Sequence, residues 1–254
     1  MTSDFIGLKD EEGKPCGTLN SGGTESIIMA LYACREYKMR ECGVIKPNLV
    51  ICETGHAAAI KACHFFDIEV KLIPYDSNYQ MHISKMKSAI DENTICVYTS
   101  YPNYPLGTAD QIDIIGPYCK KKNVPVHIDM CLGGFVAPFA DKNWKLPEGI
   151  TTISADPHKY GLSAKGVSVL LFNSEKIRKY QYFVTTHWPG GLYGTPGLAG
   201  SRSGVFIASA WISMMKIGRK GYEENAKLIH DSIFFLIQLL IKWEDSSKNL
   251  DSKF

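Results

Sequence analysis

Short apolar runs alternate with helix-like segments along most of this chain. The runs are NLVICE, EVKLIPY, TICVYTS, PVHIDM, ITTISA and GVSVLLF. None alternates cleanly between apolar and polar residues, which is typical of strands buried on both faces of a sheet. Strand–helix–strand alternation of this kind predicts an α/β fold with a mostly parallel sheet flanked by helices. Because ligands on such sheets bind beyond the carboxyl ends of the strands, functional residues should follow the runs.

Helices are predicted between these strands and after the last one. A glycine-rich segment, HWPGGLYGTPGLAGSRSG, separates the last strand from the final two helices and is predicted to be a structured loop. The predicted helices span about 26–40, 56–66, 83–90, 112–121, 205–216 and 222–243. We therefore expect one large domain over residues 1–243 and a polar tail over 244–254.

Composition excludes several classes of protein. The 254 residues are 45% hydrophobic and 21% charged, as in an ordinary globular protein, and the formal net charge of +2 argues against nucleic-acid binding. No apolar stretch approaches the roughly 18 residues of a membrane span. The eight cysteines include no C-x-x-C pair, so we expect reduced, mostly buried thiols in a cytoplasmic setting and no metal site.

The first candidate site is the turn Ser21-Gly22-Gly23-Thr24-Glu25-Ser26, which opens a predicted helix. Free N–H groups at a helix N-terminus attract anions, glycines let a phosphate approach the backbone, and Thr24 adds a hydroxyl. A serine- or threonine-rich turn is also an ordinary helix cap, so both interpretations stand for this turn alone.

The second candidate is Asp129, at the end of the run VHID. A buried carboxylate needs a cationic partner, and the protonated nitrogen of a pyridine ring would be one, because the charged ring is an electron sink. The alternative is an ordinary aspartate that caps the following Gly133-Gly134 turn.

The third candidate is Lys159, in SADPHKYG directly after an apolar strand. A lysine that attacks an aldehyde must be neutral, and we expect a strand-end cleft with nearby cations to lower its pKa. Lys165 could supply such a charge or contact a phosphate. A lone lysine would more simply be a solvated surface residue.

In this chain order, the three candidates match the layout of a pyridoxal-phosphate site. The glycine-rich turn would hold the phosphate, Asp129 the ring nitrogen and Lys159 the aldehyde carbon. His56, just after another strand, could stack on the ring or simply cap a helix.

Six motifs together resemble the sphingosine-1-phosphate lyases, within the group II pyridoxal-dependent decarboxylases. They are SGGTESI, HAAAIKA, TSYPNYPLGTAD, HIDMCLGGF, ISADPHKYGLSAKG and YGTPGLAGSRSG, over most of residues 17–230. The resemblance implies the large domain of an aspartate-aminotransferase-like (type I) fold, pyridoxal 5'-phosphate as cofactor, and a homodimer with its sites at the subunit interface. It also implies retro-aldol cleavage of a phosphorylated sphingoid base to a long-chain aldehyde and phosphoethanolamine, at the cytosolic face of the endoplasmic reticulum.

The resemblance also assigns roles to individual residues. Lys159 would hold the cofactor aldehyde, Asp129 the ring nitrogen, and His56 would stack on the ring. Residues that would contact the cofactor phosphate are Gly23, Thr24 and His158, with Ser201 reaching the phosphate of the neighbouring subunit. Lys165 matches the second lysine of the family motif, whose role is electrostatic.

The chain departs from the family pattern in three places. Compared with the family, we expect the long N-terminal segment and the C-terminal small domain to be missing from this sequence, and the stretch between Gly134 and Ile153 looks several residues shorter. Two alternatives to an active lyase remain. One is an amino-acid decarboxylase of the same superfamily, for tyrosine or glutamate, and the other is an inactive dimerisation partner without cofactor, left by truncation. A nucleotide-binding protein is a weaker third, because the turn lacks the G-x-G-x-x-G and Walker A patterns.

Overall fold

The structure is a computed structural model that describes residues 1–251, with side chains up to residue 243. Two sheets are present in this range. The larger has the order β1-β7-β6-β5-β4-β2-β3, and β8 and β9 form a separate hairpin. The strands are β1 (Gly17–Asn20), β2 (Asn48–Cys52), β3 (Glu69–Ile73), β4 (Thr94–Ser100), β5 (Val126–Asp129), β6 (Thr152–Ala155), β7 (Ser168–Phe172), β8 (Phe183–Thr185) and β9 (Tyr193–Thr195).

Five neighbouring strands of the large sheet are parallel. β3, β2, β4, β5 and β6 run in the same direction, while β7 is antiparallel to both β6 and β1. Every apolar run of the sequence forms a strand of this sheet. The predicted α/β class with a mostly parallel sheet is therefore confirmed.

The helices lie between and after the strands. They are α1 (Thr2–Ile6), α2 (Gly23–Cys42), α3 (Ala57–Phe66), α4 (Ile83–Ala89), α5 (Ile112–Lys121), α6 (Ala137–Ala140), α7 (Glu175–Arg178) and α8 (Gly204–Asp251). α8 is interrupted at Gly218, whose φ of 63° and ψ of 175° are not helical. This break lies between the two final helices predicted from the sequence.

Side chains of the central strands alternate between two apolar clusters. Val50 of β2 belongs to one cluster, together with residues of α4, α5 and α8. Its neighbours Leu49 and Ile51 belong to the other, which includes residues of α2 and α3. The parallel strands are therefore covered on both faces, which explains why their sequences are continuously apolar.

Two expectations from the sequence need correction, and one strand was missed. The loop predicted over 187–204 contains β9, which pairs with β8. The last helix continues past 243 to Asp251, and the side chains of the predicted polar tail, 244–254, lie outside the described residues. β1 was not predicted, because GTLN is short and contains no continuous run of apolar residues. It lies at the sheet edge and is only partly buried, so its sequence need not be apolar throughout.

Two further properties bear on function. Seven of the eight cysteines are buried and only Cys42 is exposed. Among the helices of the described range, none combines the length and apolar character that a membrane crossing requires.

Candidate active site

A cavity of about 500 Å³ lies at the carboxyl ends of β5 and β6, beside the N-terminus of α2. The predicted residues that line it are Gly23, Thr24, His56, Asp129, His158 and Lys159. A larger cavity of about 1130 Å³ lies between α1, α6 and α8. Its charged lining mixes both signs, and it contains none of the predicted site residues, so the smaller cavity is the candidate site.

The glycine-rich turn leaves the N-terminus of α2 open. Gly22 is the N-cap, and no side chain in the described part of the chain caps the helix, so the interpretation of this turn as an ordinary serine or threonine cap is wrong. Instead, the Glu25 carboxylate accepts hydrogen bonds from the Ser21 N–H at 2.7 Å and the Leu198 N–H at 3.1 Å. Glu25 therefore fixes the turn, while the first N–H groups of α2 have no side-chain partner among the described residues.

Gly23 permits a close approach that no other residue would allow. A Cβ on Gly23 would lie 2.7 Å from both Asp156 Oδ2 and Cys131 Sγ. By contrast, a Cβ on Gly22 would meet only His158 Cε1, at 3.9 Å. Only glycine at position 23 therefore lets the backbone lie this close to Asp156 and Cys131.

Asp129 is nine-tenths buried at the end of β5 and is held on both oxygens. Tyr98 donates its hydroxyl to Oδ2 at 2.7 Å, and the Cys131 N–H donates to Oδ1 at 3.0 Å. The Ser154 hydroxyl approaches Oδ1 at 3.4 Å. This carboxylate is oriented by three donors from neighbouring parts of the sheet.

His127 lies behind Asp129 and is fully buried. Its Nδ1 is 2.9 Å from Thr152 Oγ1, and its Nε2 is 3.3 Å from Ser154 Oγ. Burial lowers the pKa of His127 to about 4, against the opposing effect of Asp129. A neutral imidazole therefore forms part of the network that supports Asp129.

Lys159 lies in the turn after β6, and its side chain is 36% exposed. Its N–H donates to the Asp156 carbonyl at 3.1 Å, and its carbonyl accepts from the Leu162 N–H at 3.0 Å. Its ammonium nitrogen lies 3.0 Å from Asp156 Oδ2. Burial lowers the pKa of Lys159, but Cys131, Asp156 and Asp129 outweigh it and the pKa is raised. The expectation that nearby cations would lower this pKa is therefore wrong, because the closest charge is the carboxylate of Asp156.

His56 caps a helix, as one of its two predicted roles requires, and its stacking on a ring stays a prediction. It is the N-cap of α3, where its Nδ1 accepts a hydrogen bond from the Ala58 N–H at 3.1 Å, and it also lines the cavity. The cap fixes the imidazole at the cavity wall, so the two interpretations do not exclude each other.

Two predicted residues lie elsewhere in this single chain. Lys165 and Ser201 are both exposed and do not line the cavity. Leu198 and Ala199, from the loop that carries Ser201, do reach it. That loop is anchored by Arg202, which donates to the carbonyls of Leu19 and Gly166 at 2.8 Å each.

Sequence reasoning missed three residues of the site. Asp156 and Cys131 line the cavity, and Tyr98 supports Asp129 from β4. Asp156 follows β6 directly, so the rule that located Asp129 could also have located it. Tyr98 gave no comparable signal, because its contact with Asp129 joins residues of two different strands.

The residues fit a ring-shaped aldehyde phosphate. Three buried polar atoms that line the cavity have no hydrogen-bond partner among the described residues: His158 Nδ1 and both carboxylate oxygens of Asp156. The open N-terminus of α2 suits an anion, Asp129 suits a cationic ring nitrogen, and Lys159 suits an aldehyde carbon. The close approach at Gly23 completes a cradle that a Cβ would fill.

Comparisons with known proteins agree with this chemistry. Residues 1–233 match the model of the pyridoxal-dependent decarboxylase conserved domain. The sphingosine-1-phosphate lyase of Oryza sativa is 41% identical over 234 residues, which are 89% of this chain and 43% of that protein. The lyase of Drosophila melanogaster is 43% identical over 229 residues, 87% of this chain and 42% of that protein. The chain thus spans about two fifths of the length of these curated relatives.

Solved structures give the same fold. The sphingosine-1-phosphate lyase of Burkholderia pseudomallei superposes with a TM-score of 0.87 at 38% identity, over 92% of this chain and 56% of that one. The glutamate decarboxylase of Lactobacillus brevis superposes with a TM-score of 0.82 at 22% identity, over 95% of this chain and 58% of that one, and shows the fold alone.

Proposed function

The chain belongs to the pyridoxal-dependent decarboxylase family, and we propose that it is the cofactor-binding part of a lyase that cleaves phosphorylated sphingoid bases. The products would be a long-chain aldehyde and phosphoethanolamine. One observation supports this substrate over others: identity is about 40% to curated sphingosine-1-phosphate lyases across most of the chain, but 22% to a glutamate decarboxylase of the same fold.

The residues of the cavity would hold pyridoxal 5'-phosphate in the manner that the family resemblance implies. Gly23, Thr24 and His158 would contact the phosphate, and Lys159 would bind the aldehyde carbon. Asp129 would pair with the ring nitrogen and His56 would lie against the ring. When bound, the cofactor supplies an electron sink for the electron pair of the bond that breaks.

The chain's own residues would prepare that cleavage. Asp129, oriented by Tyr98 and Cys131, would offer its carboxylate to the protonated ring nitrogen. In the reaction, the substrate loses the proton of its 3-hydroxyl, the bond between its second and third carbons breaks, and the second carbon gains a proton. The third carbon leaves as the aldehyde.

The complete site requires a second subunit in this proposal. Ser201, exposed in the Gly200-Ser201-Arg202 turn, would reach the cofactor phosphate of the partner, and Lys165 would act electrostatically. Several exposed apolar side chains in the sequence around Ser201, between residues 188 and 212, support a homodimer: Trp188, Leu192, Val205, Phe206, Trp211 and Ile212. By family resemblance, the enzyme would work at the cytosolic face of the endoplasmic reticulum.

The test is a product assay on the purified chain with added pyridoxal 5'-phosphate. We expect release of long-chain aldehyde from sphingosine 1-phosphate and no CO₂ from glutamate or tyrosine. A Lys159→Ala variant should release nothing, while Lys85→Ala, an exposed lysine on α4, should match the parent. Release of CO₂ alone would establish the rival amino-acid decarboxylase, and a folded dimer that binds no cofactor would establish the inactive fragment.

A further inference from the structure

Asp156 is the most deeply buried charged residue of the candidate site, with 1% of its surface exposed. It follows β6 directly and lies against the N-terminus of α2, where the Cβ of any residue but glycine at 23 would contact its carboxylate. The family resemblance assigns roles to Lys159, Asp129, His56 and His158, but it assigns none to Asp156.

The carboxylate of Asp156 is only partly compensated. Lys159 Nζ lies 3.0 Å from Oδ2 and His158 Nε2 lies 3.6 Å from the same atom. Both oxygens are buried, and neither accepts a hydrogen bond from any described residue, so the ion-pair contacts are what compensates the charge. Because a buried carboxylate is costly unless it is paired, the ammonium of Lys159 is its principal source of stabilisation.

We propose that Asp156 is a positioning residue that holds Lys159 in the cavity as an ammonium ion until the cofactor enters. The inference rests on the proposed cofactor, because Lys159 is the residue that would bind the cofactor aldehyde. Asp156 would control the protonation state of that lysine. Breaking the Asp156–Lys159 ion pair is then a required step of capture.

Other charged and titratable groups face Lys159 in the cavity. Asp129 and Cys131 approach from the end of β5, His56 and Lys61 from α3, and Glu25 from α2. The Cys131 thiol also raises the Lys159 pKa, but it makes no ion pair with the ammonium in the described part of the chain. Asp129 is already held by Tyr98 and by the backbone. Within the described residues, none of these groups makes an ion pair with Lys159, whereas Asp156 does.

Capture changes the charge of this pair. Lys159 first gives one proton to solvent, and its neutral nitrogen bonds to the aldehyde carbon. The two remaining N–H protons and the aldehyde oxygen leave together as water, so a C=N bond replaces the C=O bond. Since only the neutral amine reacts, a carboxylate that stabilises the ammonium slows capture near neutral pH.

The first arm of the experiment needs no cofactor. Lysines of the cofactor-free protein are labelled with acetic anhydride across a pH series, and the labelling of Lys159 and Lys85 is quantified by mass spectrometry. Lys85 is the internal reference, because it is exposed and makes no ion pair in the described part of the chain. In the parent protein we expect the Lys159 midpoint to lie above that of Lys85.

Two variants isolate the carboxylate. Asp156→Asn keeps the shape of the side chain and should move the Lys159 midpoint to lower pH without moving that of Lys85, whereas Asp156→Glu should restore it towards the parent value. An unchanged midpoint in Asp156→Asn would overturn the proposal. If that variant does not fold, a parent midpoint at or below that of Lys85 would overturn it equally.

The second arm measures capture with pyridoxal, which lacks the phosphate and so reports on the lysine alone. We expect borohydride trapping on Lys159 at pH 7 to be several-fold faster in Asp156→Asn than in the parent. Equal or slower trapping would count against the proposal. Failure of the parent to bind pyridoxal 5'-phosphate would instead refute the proposed cofactor, while the labelling arm would still decide whether Asp156 holds Lys159.

Discussion

The hydroxyl of Tyr98 lies 2.7 Å from Asp129 Oδ2 and joins β4 to the candidate site on β5. Both residues are buried. Burial raises the pKa of Tyr98 well above its usual value, with further contributions from Asp129. The phenol therefore stays protonated and donates to the carboxylate, which makes Asp129 a fixed acceptor.

Replacing Tyr98 by phenylalanine should weaken the site and keep the fold. The variant removes one donor from a buried carboxylate, which costs about 1–3 kcal/mol of folding stability, and it leaves Asp129 less firmly oriented. We expect a lower free energy of unfolding in urea and a higher dissociation constant for pyridoxal 5'-phosphate. Tyr104→Phe is the control, because Tyr104 is 77% exposed. If both variants behave like the parent, Tyr98 has no part in holding Asp129.

Gly23→Ala should block the cofactor cradle. The added Cβ would lie 2.7 Å from Asp156 Oδ2 and Cys131 Sγ, so overpacking should cost about 1–3 kcal/mol of stability. Absorbance titration with pyridoxal 5'-phosphate should show a large loss of affinity. Gly22→Ala is the matched control in the same turn, since its Cβ would have only ordinary contacts and its φ of 176° is extended. Equal affinities in the two variants would show that the approach at Gly23 is not needed.

The sequence predicted the strands that carry the site because they are buried on both faces. A continuous apolar run such as TICVYTS then marks a strand, and the residue after the run marks the site, as it does for Asp129. The chemistry was harder to predict where it depends on contacts between distant segments. The pKa of Lys159 was expected in the wrong direction because the effect of Asp156 depends on the turn that brings the two side chains together. In the sequence, Tyr98 looks like one more apolar strand residue, because its contact with Asp129 depends on the pairing of β4 with β5.

Tyr222→Phe should loosen the turn that carries Lys159. Tyr222 is fully buried on α8, stacks on Phe139 at 5.2 Å, and donates its hydroxyl to the Gly161 carbonyl at 3.0 Å. Burial raises the pKa of Tyr222 to about 12, so the hydroxyl remains a donor. Losing this bond should cost about 1 kcal/mol and should speed hydrogen exchange at the amides of residues 159–163.

The control for this prediction is Tyr160→Phe in the same turn. Tyr160 is 43% exposed, so its hydroxyl can bond to water and its removal should leave exchange unchanged. Faster exchange in Tyr160→Phe, with none in Tyr222→Phe, would contradict the role given to Tyr222.

The stability of the cofactor-free chain should fall on mild acidification because of His127. Burial lowers the pKa of this imidazole from 6.5 to about 4. Between these values the unfolded chain binds a proton that the folded chain does not, so the free energy of unfolding decreases as the pH falls from 6.5 towards 4. Above 6.5 the imidazole is neutral in both states and contributes no slope. The full effect is about 3 kcal/mol, at 1.36 kcal/mol for each pKa unit. Urea unfolding of the parent and of His127→Asn, which keeps a partner for Thr152, should therefore diverge in pH dependence only below about 6.5. Parallel pH profiles for the two proteins would mean that another group causes the acid sensitivity.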